Sequence, residues 1–188
     1  MTSAIDTIKL HFVRHGETEF NAERRFQHPE TPLSANGRAQ AAAVAKSLAG
    51  VNAEMILASD YARALETANI IAERVNLPVT IEPALRERNF GVLRGQLYAD
   101  LGEEYVRGVY TGYTTGIDEG ESWSDVHDRI AAFFARLRKE PRARELILVT
   151  HGGALNVALH CLRGDADDAF ALERFENCAV RTVELRCA

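Results

Sequence analysis

Short apolar runs alternate with helix-forming stretches along this chain, and the two patterns predict strands and helices in turn. Runs of apolar residues predict strands at 8–13, 55–58, 78–81 and 146–149, with a last, half-exposed strand at 179–185. Good helix formers, or apolar residues at spacings of three and four, predict helices at 38–48, 62–75, 122–139 and 154–162. Strands that alternate with helices in this way predict an α/β fold with a mostly parallel sheet.

The stretch from 97 to 121 gives the weakest pattern. Residues 97–105 are compatible with a helix, but glycines at 108, 112, 116 and 120 interrupt the remainder of the stretch. No linker, repeat or low-complexity segment divides the chain, so we predict a single domain over 1–188. Within that domain, 97–121 is expected to be an insertion that could cover a pocket.

Composition narrows the class of protein. The net charge of −5 argues against general nucleic-acid binding, which needs a basic face for the phosphate backbone. No apolar run reaches the roughly 20 residues that cross a bilayer, and residues 1–9 lack the basic and apolar regions of a signal peptide. Three cysteines, Cys161, Cys178 and Cys187, are widely spaced, so neither a disulfide framework nor a zinc site is indicated. We therefore expect a cytoplasmic protein with no membrane or nucleic-acid partner.

Two of the predicted strands each end in a histidine followed by a glycine. Arg14-His15-Gly16-Glu17 follows the strand at 8–13, and Thr150-His151-Gly152-Gly153 follows the strand at 146–149. Open α/β sheets usually bind their ligands at the carboxyl edge of the strands. If these two strands are neighbours, the two imidazoles face one another across a single pocket.

The groups available near such a pocket suit phosphoryl transfer; they are Arg14, His15, Arg63, Glu87 and His151. Two arginines can fork onto phosphoryl oxygens and neutralise them. One imidazole can attack phosphorus while the second donates hydrogen bonds to the oxygens where charge collects. A carboxylic acid can give the leaving oxygen its proton. Two histidines and a glutamate could instead ligate zinc, but the adjacent arginines would repel a cation, so no metal is expected.

Several segments, in order along most of the chain, resemble the signature of the histidine phosphatase superfamily, the phosphoglycerate-mutase-like proteins. They are Arg14-His15-Gly16-Glu17-Thr18 with Asn21, the stretches 59–68 and 85–91, the stretch 120–122 with Arg129, and Val149-Thr150-His151-Gly152-Gly153. The resemblance implies a single-domain three-layer sandwich, with a mostly parallel central sheet flanked by helices. It also implies an enzyme without metal or cofactor that acts on a small phosphorylated metabolite. The oligomeric state stays open, with a homodimer as one option.

The same resemblance gives each candidate residue a role. His15 is the nucleophile that becomes phosphorylated, and Glu87 is the general acid that later activates water. Arg14, Arg63 and His151 clamp the phosphoryl group. The remaining substrate-binding residues are Thr18, Asn21, Gln27, Arg88 and the amide of Gly152.

Departures from the family pattern bear on the reaction. The stretch 87–95 is similar to that of true mutases, yet the family's mutases carry a longer insertion with a paired arginine that holds a second anionic group. Here Arg107 stands alone, which favours a phosphoric monoester hydrolase over a 2,3-bisphosphoglycerate-dependent phosphoglycerate mutase. A non-catalytic phosphate-binding or signalling protein is a third alternative, and the presence of His15, Glu87 and His151 argues against it.

Overall fold

One sheet organises the fold in the computed structural model, which describes residues 5–166 and 170–187. Within these residues the strands are β1 (Thr7–Arg14), β2 (Met55–Ala58), β3 (Val79–Ile81), β4 (Glu145–Thr150) and β5 (Val180–Arg186). They are arranged in the order β3-β2-β4-β1-β5. Neighbouring strands run parallel except for β5, which pairs antiparallel with β1. The predicted α/β fold with a mostly parallel sheet is therefore confirmed.

Helices fill the connections between the strands. In the described ranges they are α1 (Glu19–Ala22), α2 (Ala35–Leu48), α3 (Ala62–Val75), α4 (Tyr98–Leu101), α5 (Glu103–Thr111), α6 (Trp123–Lys139) and α7 (Gly152–Arg163). Short 3-10 turns at Pro83–Leu85 and Gly91–Leu93 lie between β3 and α4. None of the helices in the described part of the chain has both the length and the apolar character needed to cross a membrane.

The observed elements differ from the predicted ones mainly at their ends, and the differences have local causes. The helix predicted from 38 begins at Ala35, because the Ser34 hydroxyl accepts a hydrogen bond from the Gly37 amide and caps α2 there. The helix expected at 97–105 is divided into α4 and α5, since Gly102 between them has a φ of 83°. That angle lies outside the α-helical region and is readily adopted by glycine.

Helices cover both faces of the sheet and give the molecule three layers. Alternate residues of a strand face opposite sides, so Val13 packs in one apolar cluster with α2 and α3, and Phe12 packs in another with α6 and α7. Phe133, Phe134 and Leu155 on the second side are at most 2% exposed. Burial of both faces fixes the strands whose ends carry the candidate chemistry.

The two strands that precede the histidines are neighbours. β1 and β4 pair in parallel, with Arg14 opposite Thr150, and the His15 amide donates to the Thr150 carbonyl over 2.9 Å. His15 and His151 therefore leave the sheet side by side at the same edge.

Close backbone contact fixes the loop that follows His15. A Cβ added to Gly37, in the first turn of α2, would lie 2.0 Å from the Glu17 carbonyl oxygen. A Cβ added to Gly16 would lie 2.5 Å from the Gly37 carbonyl oxygen. The Ser34 amide also donates to the Glu17 carbonyl over 2.9 Å. The start of α2 thus sets the path of the chain immediately after His15.

Replacing Gly37 with alanine is expected to lower the free energy of unfolding by about 1–3 kcal/mol, the usual cost of overpacking. The new methyl group would meet backbone atoms of Glu17, which cannot turn aside as a side chain can. Urea unfolding measures the change. Gly50→Ala is the matched control, because nothing lies within 4 Å of a Cβ at that position. Equal stability of the two variants would contradict the proposed contact.

Candidate active site

His15 is held in one tautomer. The residue is 2% exposed, and its Nδ1 lies 2.7 Å from the Gly16 carbonyl oxygen, a group that only accepts. Its Nε2 lies 3.3 Å from Arg63 Nε, a group that only donates. Nδ1 therefore carries the proton, and Nε2 carries the lone pair.

The surroundings of His15 also keep its ring neutral. Burial is the largest effect that lowers the pKa of His15 well below its usual range, and the charges of Arg63 and Arg14 lower it further. The hydrogen bond to the Gly16 carbonyl acts in the opposite direction but is a smaller effect. A neutral imidazole with one unprotonated nitrogen is the form that can attack an electrophile.

His151 lies beside His15, with 5.1 Å between the ring centroids. It is completely buried, and its Nε2 is 2.9 Å from the Ser59 hydroxyl, which can either donate or accept. Its Nδ1 has no hydrogen-bond partner among the described residues. Burial, followed by the charge of Arg63, lowers the pKa of His151 well below its usual range. This ring is therefore neutral, with one buried nitrogen that is not satisfied within the described residues.

Two guanidinium groups flank the imidazoles. Arg63, in the first turn of α3, is 2% exposed and donates to the His28 carbonyl over 3.0 Å. Burial lowers the pKa of Arg63 to about 10, so the group remains a cation at neutral pH. Arg14, the last residue of β1, donates to the Phe175 carbonyl, and its buried Nε has no partner among the described residues. This arrangement suits an anion.

Glu87 is held by backbone amides at the N-terminus of α7. Its Oε1 accepts hydrogen bonds from the amides of Arg88 and Ala154, and its Oε2 accepts one from the Gly153 amide. The donor–acceptor distance is 3.0 Å in each. A Cβ on Gly153 would lie 2.5 Å from Glu87 Oε1 and 2.4 Å from the Trp123 ring, so a side chain there would displace the carboxyl group. The geometry at α7 thus fixes the one candidate acid.

The candidate residues meet at a cavity of about 590 Å³. The predicted residues in its lining are Arg14, His15, Asn21, Gln27, Arg63, Glu87 and Gly152. His151 is buried directly beside His15. The structure thus brings the five predicted catalytic groups and three of the predicted substrate-binding groups to one edge of the sheet.

Thr18, which the family resemblance assigned to substrate binding, lies outside the lining of this cavity. Its side chain is completely buried and caps α1 by accepting from the Asn21 amide. Its hydroxyl also donates to Gln27 Oε1 over 2.9 Å. Thr18 therefore positions two lining residues and does not contact the cavity itself.

Arg88 also lies outside the cavity lining, because carbonyl groups of the 97–121 segment bind its side chain. The guanidinium donates to the carbonyls of Val109, Thr115 and Glu121 over 2.6 to 2.7 Å. Its carbon lies 4.9 Å from the centroid of the Trp123 ring. Arg88 therefore connects the 97–121 segment to the chain beside Glu87.

Sequence patterns missed one part of the cavity wall, and in a second part they gave the segment but did not single out its lining residues. Residues 172–177, which have no regular secondary structure, line it before β5 begins, and Asn177 donates to the His15 carbonyl over 3.0 Å. Tyr98 and Tyr110, from the segment expected to cover a pocket, line it as well. The available signal for 172–177 was its place in the chain, directly before a strand that pairs with β1.

Sequences similar to this one point to a single family. The model described as histidine phosphatase superfamily (branch 1) matches residues 10–187. A probable phosphoglycerate mutase of Shigella boydii is 35% identical over 182 residues, which cover 94% of this chain and 85% of that protein.

Solved structures with the same fold include enzymes of two kinds. A mycobacterial glucosyl-3-phosphoglycerate phosphatase in complex with VO3 has a TM-score of 0.87 at 30% identity, over 93% of this chain and 90% of that chain. The phosphoglycerate mutase from Thermus thermophilus has a TM-score of 0.71 at 29% identity, over 94% of this chain and 92% of that chain. Likeness of the fold therefore extends to both phosphatases and mutases.

The two buried histidines are expected to make stability depend on pH. Folding lowers both pKa values, so below about pH 6.5 the unfolded chain binds more protons, and the free energy of unfolding falls as pH decreases. Each histidine should contribute a slope of about 1.4 kcal/mol per pH unit, until the pH reaches its folded-state pKa.

Urea unfolding at several values between about pH 7 and pH 5 tests this for the wild type and for His15→Asn. The variant should have a slope that is shallower by about 1.4 kcal/mol per pH unit. His127→Asn serves as a control, because that side chain is 29% exposed and is outside the cavity lining. A slope that His15→Asn leaves unchanged would contradict the neutral, buried state of His15.

Proposed function

Because the matched family model spans nearly the whole chain, this protein belongs to the histidine phosphatase superfamily, and we propose that it is a phosphomonoester hydrolase that works through a phosphohistidine. The observation that carries the proposal is the tautomer of His15, whose Nε2 is unprotonated and accepts from Arg63 Nε while Nδ1 donates to the Gly16 carbonyl. The proposed substrate is a small phosphorylated metabolite.

The first half-reaction transfers the phosphoryl group to the protein. Arg14, Arg63 and His151 hold the phosphoryl oxygens, and His15 Nε2 attacks phosphorus. The new N–P bond forms as the ester P–O bond breaks, and Glu87 gives its proton to the departing oxygen. The alcohol then leaves the cavity.

The second half-reaction returns the phosphoryl group to water. Glu87, now a carboxylate, takes a proton from the attacking water, and the N–P bond breaks as the new P–O bond forms. Inorganic phosphate leaves, and His15 regains its lone pair.

The positive charge that phosphoryl transfer needs can come from the two arginines. In many enzymes of this reaction class Mg²⁺ neutralises the developing charge. Here Arg14 and Arg63 flank the imidazoles, and guanidinium groups match the oxygens of a phosphoryl group in geometry and charge. The same cations would repel a divalent metal from the two histidines, so we propose that the reaction needs no metal ion.

A phosphoglycerate mutase is the second candidate function, because a relative that is 35% identical carries that name. A mutase must keep a second anionic group of its substrate bound while the phosphoryl group returns to it. Arg107, the arginine considered for that role, is exposed on α5 and is not part of the cavity lining. Hydrolysis therefore remains the better-supported proposal.

Replacing Glu87 with glutamine is expected to slow hydrolysis of an alkyl phosphate by about 10²–10⁴-fold, the usual contribution of a general acid. An amide has a similar shape but cannot deliver a proton. The loss should be much smaller with p-nitrophenyl phosphate, whose oxygen leaves without protonation. Glu173→Gln is the matched control, since that carboxyl group is exposed in the cavity lining. Equal losses on the two substrates would refute the assigned role.

Rapid quench with a ³²P-labelled phosphomonoester, in buffer with a chelator, tests the intermediate and the reaction type together. We expect acid-labile, base-stable label on the wild type but not on His15→Ala, decaying to inorganic phosphate at the turnover rate. Activity that disappears with the chelator and returns with a divalent ion would overturn the metal-free proposal. If 3-phosphoglycerate, primed with 2,3-bisphosphoglycerate, is isomerised much faster than phosphate is released, the mutase replaces the hydrolase as the supported function.

A further inference from the structure

Two tyrosines from the 97–121 segment meet in the cavity wall. Tyr98 begins α4 and Tyr110 lies near the end of α5, and their hydroxyl oxygens are 2.5 Å apart, with either one able to donate. Both line the same cavity as Arg14 and Glu87. The proposed catalytic cycle uses neither of these hydroxyl groups.

The tyrosine pair has one hydroxyl proton that takes no part in the hydrogen bond between the two rings. Two hydroxyl groups carry two protons, and the bond between them uses one. No other hydrogen bond joins either hydroxyl to the described residues. Burial raises the pKa of Tyr98 and raises that of Tyr110 well above its usual range, so both groups stay neutral at working pH. The pair is therefore a neutral donor inside the cavity.

Aromatic packing fixes the two rings. The Phe26 ring centroid is 4.6 Å from that of Tyr98 and 6.1 Å from that of Tyr110, with which it is stacked. Phe90 lies 5.9 Å from Tyr110 in an edge-on contact. Phe26 and Phe90 also line the cavity, so its wall combines aromatic surfaces with a neutral hydrogen-bond donor.

Charge at the cavity lining is mixed rather than strongly positive. The arginines outside the clamp are Arg24, Arg25 and Arg174, and the acidic residues besides Glu87 are Glu173 and Glu176. Arg25 already donates to Glu23 and to the Gly95 carbonyl. Arg24 and Arg174 are exposed, and pairs between exposed charges contribute little. A second anionic group on the substrate would find no buried, unpaired cation in this described lining comparable with the clamp.

We propose that the Tyr98–Tyr110 pair binds a hydroxyl group of the leaving alcohol, which makes the substrate a phosphate monoester of a neutral, hydroxylated compound such as a sugar or polyol. This proposal rests on the phosphomonoester hydrolase function. The spare hydroxyl proton is donated to the substrate, and the substrate hydroxyl can donate in return to a tyrosine oxygen. The aromatic rings cover the C–H surfaces of the same compound.

The test compares two kinds of substrate in variants that keep the rings and remove the hydroxyl groups. Tyr98→Phe/Tyr110→Phe retains the aromatic packing but removes both donors. Tyr105→Phe on α5 is the matched control, because Tyr105 is 52% exposed and lies outside the cavity lining. Values of kcat/KM are measured with a panel of sugar and polyol phosphates and with phenyl phosphate, whose leaving group has no further hydroxyl.

The double variant should lose about threefold to tenfold in kcat/KM on the best sugar or polyol phosphate, as expected for one or two lost hydrogen bonds. Phenyl phosphate should be hydrolysed as fast as by the wild type, and each single variant should lose less because one hydroxyl still donates. If the double variant leaves the ratio of kcat/KM between the two kinds of substrate unchanged, the tyrosine proposal is overturned while the hydrolase proposal stands. A wild type that hydrolyses neither kind of substrate would overturn the hydrolase itself.

Discussion

The parallel pairing of β1 with β4 is the constraint on which the candidate site depends. It places Arg14 opposite Thr150, and the next residue in each segment is a histidine. A register shift of one residue would turn every side chain of a strand to the other face. Phe12 and Val13 would then leave the clusters in which they are completely buried. The core and the imidazole pair are therefore fixed by the same register.

The site holds positive charge where water is largely excluded, which costs stability unless the charge is well paired. Arg63 is paired with the His28 carbonyl and with His15 Nε2, so its cost is partly offset. Arg14 Nε and His151 Nδ1, by contrast, have no partner among the described residues. In the proposed function both atoms pair with the phosphoryl group of the substrate, and a ligand that binds only the folded chain stabilises it. The proposed anion site thus lowers the stability of the free protein.

The fold and the strand-end histidines could be predicted because their signals are local: apolar periodicity, caps, and chemistry at a strand's end. The contacts of a long side chain, by contrast, depend on residues that are distant in the sequence. Arg88 follows Glu87 in a family-like segment, yet its guanidinium donates to three carbonyls of the 97–121 segment, 21 to 33 positions away in the sequence. Residues 172–177 show no hydrophobic periodicity. Asn177 donates to the His15 carbonyl although the two residues are 162 positions apart in the sequence. Such contacts follow from the assembled sheet rather than from any short pattern.

The proposed chemistry and the proposed choice of substrate come from different parts of the fold. The catalytic candidates lie at strand ends and helix starts, which core packing holds in place. The part of the cavity wall proposed to contact the leaving alcohol comes from the short helices α4 and α5 and from loops, and loops tolerate change better than the elements they join. Arg88 links the two, because its amide donates to Glu87 while its guanidinium holds the carbonyls of Val109 and Thr115. Substitutions in this part of the wall that leave these contacts in place can therefore alter which alcohol fits without moving Glu87, the proposed acid.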